Sequence, residues 1–132
     1  MTRVLALDYG AARCGCAISD PTGTIATPIE EVPRPASKRG MARLAALVSE
    51  REVGMVLVGL PLSLSGQESD QTRETRAFAE RLERRLGPGI PVEMHDERFT
   101  TKLAARTPDP RTSEDSRAAA HLLESWLSAR AG

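Results

Sequence analysis

Two runs without a polar side chain, Val4-Leu5-Ala6-Leu7 and Met55-Val56-Leu57-Val58, constrain the fold of this chain more than anything else in it. Short, wholly apolar runs suit strands buried on both faces, inside a sheet that carries helices on each side. Each stops abruptly, the first at Asp8-Tyr9-Gly10 and the second at Gly59-Leu60-Pro61. An acid at the carboxyl end of a buried strand stands where open α/β sheets place their sites. Asp8 is therefore the first candidate functional residue.

The neighbouring segments complete the sheet. After the turn at Gly10-Ala11-Ala12, residues 13–18 return as a second strand, and Asp20-Pro21-Thr22-Gly23 turns the chain into a third over residues 24–32, with Pro28 at an edge. Pro33 and Pro35 end that strand. Ser37 caps a helix whose Met41, Leu44, Ala45 and Val48 recur at helical spacing. After the second apolar run, the polar Ser63–Gln67 segment reads as a mobile loop. A long helix follows with a stripe of Thr75, Phe78, Ala79, Leu82 and Leu86, stopped by Gly87-Pro88-Gly89. A fifth strand over residues 90–94 delivers His95-Asp96-Glu97. A short helix is expected over residues 100–106, and Thr112 is expected to cap a last helix in a capping box with Asp115. The fold class is α/β: a mixed five-stranded sheet, three antiparallel strands extended by parallel ones, flanked by helices.

Composition narrows the function. The 132 residues suit a single domain (1–132) whose core needs no disulfide or structural metal. Lys plus Arg and Asp plus Glu both total 18, which excludes a protein held to nucleic acid by bulk charge alone. With one Trp, one Tyr and two Phe, the chain is no stacking platform for extended single strands. Cys14 and Cys16 share a strand face as small apolar filler, and His95 and His121 lie too far off for zinc spacing. No segment suggests a signal peptide or a membrane span, so a cytoplasmic protein is expected.

Two more acids occupy positions comparable to that of Asp8. Glu97 ends the fifth strand beside His95, Asp96 and Arg98; a solvated acid paired with Arg98 is the plainer reading, and the strand-end position favours function. Asp115 lies in line with Ala118, Ala119, Leu122 and Trp126, the stripe that must face the sheet, whereas Glu114 points outward. Three carboxylates converging from two strand ends and a helix start repel one another without cations. Hard oxygen ligands suit Mg²⁺ or Mn²⁺, and two such ions roughly 4 Å apart can activate water and stabilise the leaving oxygen of a phosphodiester.

Leu7-Asp8-Tyr9-Gly10 with Arg13, Gly15 and Ser19-Asp20 resembles the opening of the YqgF family, also called RuvX. Val58-Gly59-Leu60-Pro61 with Gly66 and Thr72, Asp96-Glu97-Arg98-Phe99-Thr100-Thr101, and Asp115-Ser116 with Ala118-Ala119 and Leu122-Leu123-Glu124 continue the match along essentially the whole chain. The resemblance implies an RNase H-like fold and makes Asp8, Glu97 and Asp115 the catalytic, metal-binding carboxylates. It implies a nuclease that processes the 5′ end of 16S rRNA precursors during ribosome biogenesis, with the precursor of the small ribosomal subunit as partner. Cleavage of Holliday junctions is the alternative activity. The segment between Thr101 and Asp115 departs from the family in being short, rich in Pro and poor in basic residues, which bears on substrate grip. Phe99 stands where an aliphatic residue is more usual.

Lesser candidates surround the acids. Arg13 could meet a substrate phosphate or be a plain surface residue, Arg98 could meet a phosphate or fix the carboxylates, and Thr100 and Thr101 could cap a helix or hold a phosphate on its amides. Arg73, Arg76, Arg81, Arg84 and Arg85 interleave with Glu74, Glu80 and Glu83, which reads as a self-paired helix. His95 has no evident partner. The Asp-Tyr-Gly hairpin also resembles the phosphate-binding hairpin of actin-like ATPases, which need two such domains. A non-catalytic RNA-binding assembly factor is a further alternative, disfavoured by an acid trio that would face phosphate. No dimer face is evident in the sequence.

Overall fold

The two apolar runs lie side by side at the middle of one sheet. In a computed structural model that describes residues 3–63, 65–97 and 113–131, β1 (Arg3–Asp8) runs parallel to β4 (Val53–Leu60), with Leu5 opposite Val56 and Leu7 opposite Val58. With β2 (Arg13–Ser19), β3 (Ala26–Pro33) and β5 (Val92–Asp96), the sheet order is β3-β2-β1-β4-β5. β2 is antiparallel to both of its neighbours and β5 is parallel to β4. This is the mixed sheet expected from the sequence, and Pro28 sits in an edge strand, where a missing donor is tolerated.

Alternation along β1 divides the core in two. Leu5, Leu7 and Tyr9 pack with Cys14, Cys16, Val56 and Val58 beneath α1 (Lys38–Glu50) and α2 (Asp70–Leu86), which contribute Leu44, Leu47, Phe78 and Leu82. Val4, Ala6, Ala17 and Leu57 face α3 (Glu114–Ala131), meeting Ala119, Leu122, Leu123 and Trp126. Burial of each Leu or Val side chain contributes roughly 1.5–3 kcal/mol. Both cysteines are free and buried, the filler role expected of them.

The helix starts explain where the chain turns. Ser37 caps α1 by accepting from the Gly40 amide at 3.0 Å. Ser69 and Thr72 form a reciprocal capping box at α2, and the Thr72 hydroxyl also donates to the Pro61 carbonyl, tying the helix to the end of β4. At α3 the cap is Ser113, whose side chain accepts from the Ser116 amide at 3.1 Å and whose carbonyl accepts from Arg117 at 3.0 Å. This corrects the expected box. With Ser113 as cap, the third helical position is Ser116, so Asp115 is not engaged in capping. The segment expected to be a mobile loop is closed on itself, with the Gly66 amide donating to the Ser63 carbonyl at 2.8 Å and the Gln67 amide to the Ser63 hydroxyl at 3.1 Å. The helix expected over 100–106 and the Thr112 cap lie outside the described residues. Among the described residues, no helix is long and apolar enough to cross a membrane.

Candidate active site

Because β1, β4 and β5 are parallel, their carboxyl ends share one edge of the sheet. Asp8 closes β1 level with Gly15 of β2, and Glu97 follows the last residue of β5. β4 lies between them, and two glycines make the room they need. A Cβ on Gly59 would lie 2.5 Å from Glu97 Oε1 and 3.0 Å from a Leu122 methyl, so glycine there lets the Glu97 side chain fold across β4. A Cβ on Gly15 would overlap the Asp115 carbonyl and lie 2.6 Å from the Ser116 nitrogen, so glycine there lets the first turn of α3 rest on β2. That approach is fastened by the Cys16 amide, which donates to the buried Ser116 hydroxyl at 3.1 Å.

The result is a hydrogen-bonded carboxyl pair with a third acid beside it. Burial raises Asp8 above the usual carboxylate range; the hydrogen bond from Glu97 opposes this and the charge of Asp115 adds to it. Burial, the Asp8 charge and the bond to Asp8 push Glu97 up to about 7. Glu97 therefore keeps the shared proton and donates it to Asp8. Two hydrogen-bonded acids whose pKa values are both raised, with a third acid beside them, mark a place built for positive charge.

Asp115 stands within electrostatic reach of Asp8 but leans toward Arg13, whose Nε is 3.9 Å from Asp115 Oδ2. These side chains are 60% and 42% exposed, so the ion pair adds little stability. Among the described residues, no three His, Cys, Asp or Glu side chains close on one point that could hold a metal ion. The structure thus joins Asp8 to Glu97 and sets Asp115 and Arg13 next to them. Arg98, Thr100 and Thr101 lie outside the described residues, as does Phe99.

Other groups around the site are structural. The Tyr9 ring stacks on Phe78 with centroids 4.4 Å apart, and its hydroxyl donates to Glu74 at 3.0 Å. Burial and Glu74 push that hydroxyl up to about 12, so it stays protonated. The Cys14 thiol is held well above its ordinary range by its hydrogen bond with Cys16 and by burial, which removes it as a nucleophile. His95, expected to lack a partner, has Nε2 3.4 Å from the Ser125 hydroxyl of α3. Trp126 and Phe78 are core residues, as the sequence indicated.

Sequence reasoning did not anticipate what Gly15 and Gly59 do. The signal was present: a lone glycine inside an apolar strand marks close approach by another group. The arginines of α2 do not pair with the interleaved Glu74, Glu80 and Glu83 as expected: Arg73 pairs with Asp70, and Arg76 with Glu68, which precedes the helix. Among the described residues, no ion pair engages Arg81, Arg84 or Arg85.

Comparison with known proteins follows the same lines. The RuvX family pattern, described as Holliday junction resolvase, matches residues 2–129. A Rhodococcus erythropolis protein named "Putative pre-16S rRNA nuclease" is 42% identical over 141 residues, covering 97% of this chain and 78% of its own. A Mycobacterium tuberculosis H37Rv protein of the same name is 41% identical over 136 residues, covering 97% and 79%. Among solved structures, Thermus thermophilus RuvC in complex with a Holliday junction substrate superposes with TM-score 0.63 at 17% identity, covering 100% of this chain and 97% of that one. Fowlpox virus resolvase with its junction DNA gives 0.60 at 11%, covering 98% and 99%. At these identities the likeness is one of fold, and the fold is RNase H-like.

Proposed function

Because the chain belongs to the RuvX family, we propose that it is a metal-dependent nuclease that hydrolyses phosphodiester bonds at the 5′ end of precursor 16S rRNA. The observation that carries this reading is the half-buried, hydrogen-bonded Asp8–Glu97 pair at the carboxyl edge of the sheet, with Asp115 beside it. A binding protein would gain nothing from clustered negative charge where a phosphate must approach. A hydrolase gains a seat for cations.

The donor chemistry fits Mg²⁺ or Mn²⁺, because all three candidates are hard carboxylate oxygens and two of them share a proton that a cation would displace. Asp8 and Glu97 would hold the metal, with Asp115 contributing from the start of α3. Bound there, most simply as two ions, it supplies an activated water and charge stabilisation for the leaving oxygen. The protein holds these groups in place. Gly59 admits Glu97, Gly15 admits the turn that carries Asp115, and Tyr9 anchors the end of β1 to α2. Arg13, exposed beside Asp115, offers a guanidinium to a substrate phosphate. Arg98, Thr100 and Thr101 are assigned to substrate contact by their place after Glu97. Residues 1–132 act as one nuclease domain, in the cytoplasm, on the precursor of the small ribosomal subunit.

The family description and the likeness to junction-bound resolvases favour Holliday junction cleavage as the second reading. A direct comparison separates the two. RNA carrying a 16S 5′ leader and a four-way DNA junction are each incubated with Mg²⁺ or Mn²⁺ and the protein. Trimming of the leader, lost in Asp8→Asn, is the expected result. Symmetric nicking of the junction alone would assign resolution instead, and cleavage of neither would leave a non-catalytic assembly factor.

A further inference from the structure

The second half of α2 faces the start of α1 across an open groove of about 220 Å³ lined by Lys38, Met41, Arg81 and Arg85. Its three cations are exposed, and among the described residues none forms an ion pair. Arg81 and Arg85 stand one helical turn apart, where like charges repel. No acid of α2 stands three or four residues from Arg81 or Arg85, where it could face them on the helix. Some arginines of these two helices and their ends do find acids, Arg43 and Arg51 on Glu30, Arg73 on Asp70 and Arg76 on Glu68, while Arg39 and Arg84, like the groove cations, form no ion pair among the described residues. The groove thus gathers three cations, unpaired among the described residues, in a chain of zero net charge.

The groove lies on the α1/α2 face of the sheet, across from the acids, which face α3, and the carboxyl edge of the sheet links the two. The Arg34 amide donates to the Ala12 carbonyl at 3.0 Å, and the Ser37 amide donates to the Arg34 carbonyl at 3.0 Å. The start of α1 is thereby tied to the turn that follows Asp8. Tyr9, next to Asp8, reaches α2 through Phe78 and Glu74, and Arg81 is near enough for its charge to act on the Tyr9 hydroxyl.

We infer that this groove seats the phosphodiester backbone of the nucleic-acid strand whose scissile bond lies at Asp8 and Glu97. The ligand class rests on the nuclease reading above; the groove itself rests on its unneutralised cations. Because the contact is to phosphate, it carries no sequence preference and its strength follows salt.

The test measures binding without cleavage. A labelled single-stranded RNA and a labelled four-way DNA junction are titrated in EDTA from 0.1 to 1 M salt, with fluorescence anisotropy as readout. Removing two phosphate contacts with Lys38→Gln/Arg85→Gln should lower the log–log salt slope for single strands by about 1.4, or about 25-fold weaker binding at 0.1 M relative to 1 M. The control, Arg43→Gln/Arg51→Gln, removes the same charge from residues paired with Glu30 and should leave the slope unchanged. Thermal melts confirm that the variants are folded. The single variants, each expected to take half of the slope change, serve if the double variant melts early. A fall confined to the groove variants on either nucleic acid supports the assignment. Equal falls in groove and control variants, no fall in the groove variants, or no binding by the wild type would overturn it. Cleavage by Asp8→Asn at the wild-type rate would remove the active-site reading while leaving the groove result standing.

Discussion

Replacing Gly15 with alanine tests how closely α3 must approach the sheet for Asp115 to join the site. The added methyl would overlap the Asp115 carbonyl and sit 2.6 Å from the Ser116 nitrogen, and both are backbone atoms that no rotamer change can move. Helix α3 must lift off β2. Overpacking of this kind costs about 1–3 kcal/mol. The lift also breaks the bond from the Cys16 amide to the Ser116 hydroxyl, leaving a buried donor unsatisfied for about another 1–3 kcal/mol. The sum is about 4 kcal/mol. With an unfolding entropy of about 2.1 cal/mol/K per residue over 132 residues, that is a fall in Tm of about 14 °C. Ser116→Ala loses only the hydrogen bond and should fall by about 4–10 °C. Thermal and urea unfolding by circular dichroism read both variants, and cleavage of leader RNA reads the displacement of Asp115. A Gly15→Ala protein that melts within 3 °C of wild type and cleaves normally would refute the close-approach argument.

Further expectations concern charge. Glu97 titrates at about 7 in the folded protein against 4.5 for an ordinary glutamate, so the native state holds the extra proton between those values. Stability therefore falls as pH rises from 4.5 to 7 and levels off above, by about 1–2 kcal/mol once solvent screening of the half-buried group is allowed for. Melting in EDTA should show that slope in wild type and not in Glu97→Gln; identical profiles would contradict it. Mg²⁺ at about 100 times its Kd should raise Tm by about 10 °C, equivalent to about 2.7 kcal/mol. The rise should be larger at pH 8 than at pH 5.5, since the carboxyls must be ionised to bind, and absent in Asp8→Asn. Arg13→Ala should change stability by less than about 1 kcal/mol, because its exposed pair with Asp115 is weak, while raising KM for RNA more than it lowers kcat.

What could be read in the sequence was whatever a single strand or helix declares about itself. The apolar runs announced strands buried on both faces; Asp8 was conspicuous because an apolar strand ends at it, and Glu97 because it stands at a comparable strand end. Asp115 was placed by its position on the helix stripe. Contacts between elements distant in sequence were not legible. Gly59 read as the place where its strand stops and Gly15 as an ordinary strand residue; β4 in fact runs on through Gly59 to Leu60, and the Glu97 side chain and α3 lie against the two glycines. Adjacent Thr112 and Ser113 are both good caps by residue type, and the sequence alone did not single out Ser113, whose hydroxyl accepts from the Ser116 amide. The acids of α2 seemed to balance its arginines, but a count along one helix cannot show that Arg73 and Arg76 turn to Asp70 and Glu68 while Arg81, Arg84 and Arg85 form no ion pair among the described residues. His95 gained a partner for the same reason, from a helix thirty residues further on.

The central claim, that Asp8, Glu97 and Asp115 form one metal-dependent hydrolytic centre, is tested most directly by single-turnover cleavage of leader RNA in Mg²⁺. Wild type would be compared with Asp8→Asn, Glu97→Gln and Asp115→Asn, with RNA binding in EDTA measured on the same samples. The account predicts losses of about 10³-fold or more in each variant, with binding of RNA retained or strengthened as negative charge is removed. Cleavage persisting near the wild-type rate in any one variant would take that carboxylate out of the centre, and persistence in all three would place the chemistry elsewhere.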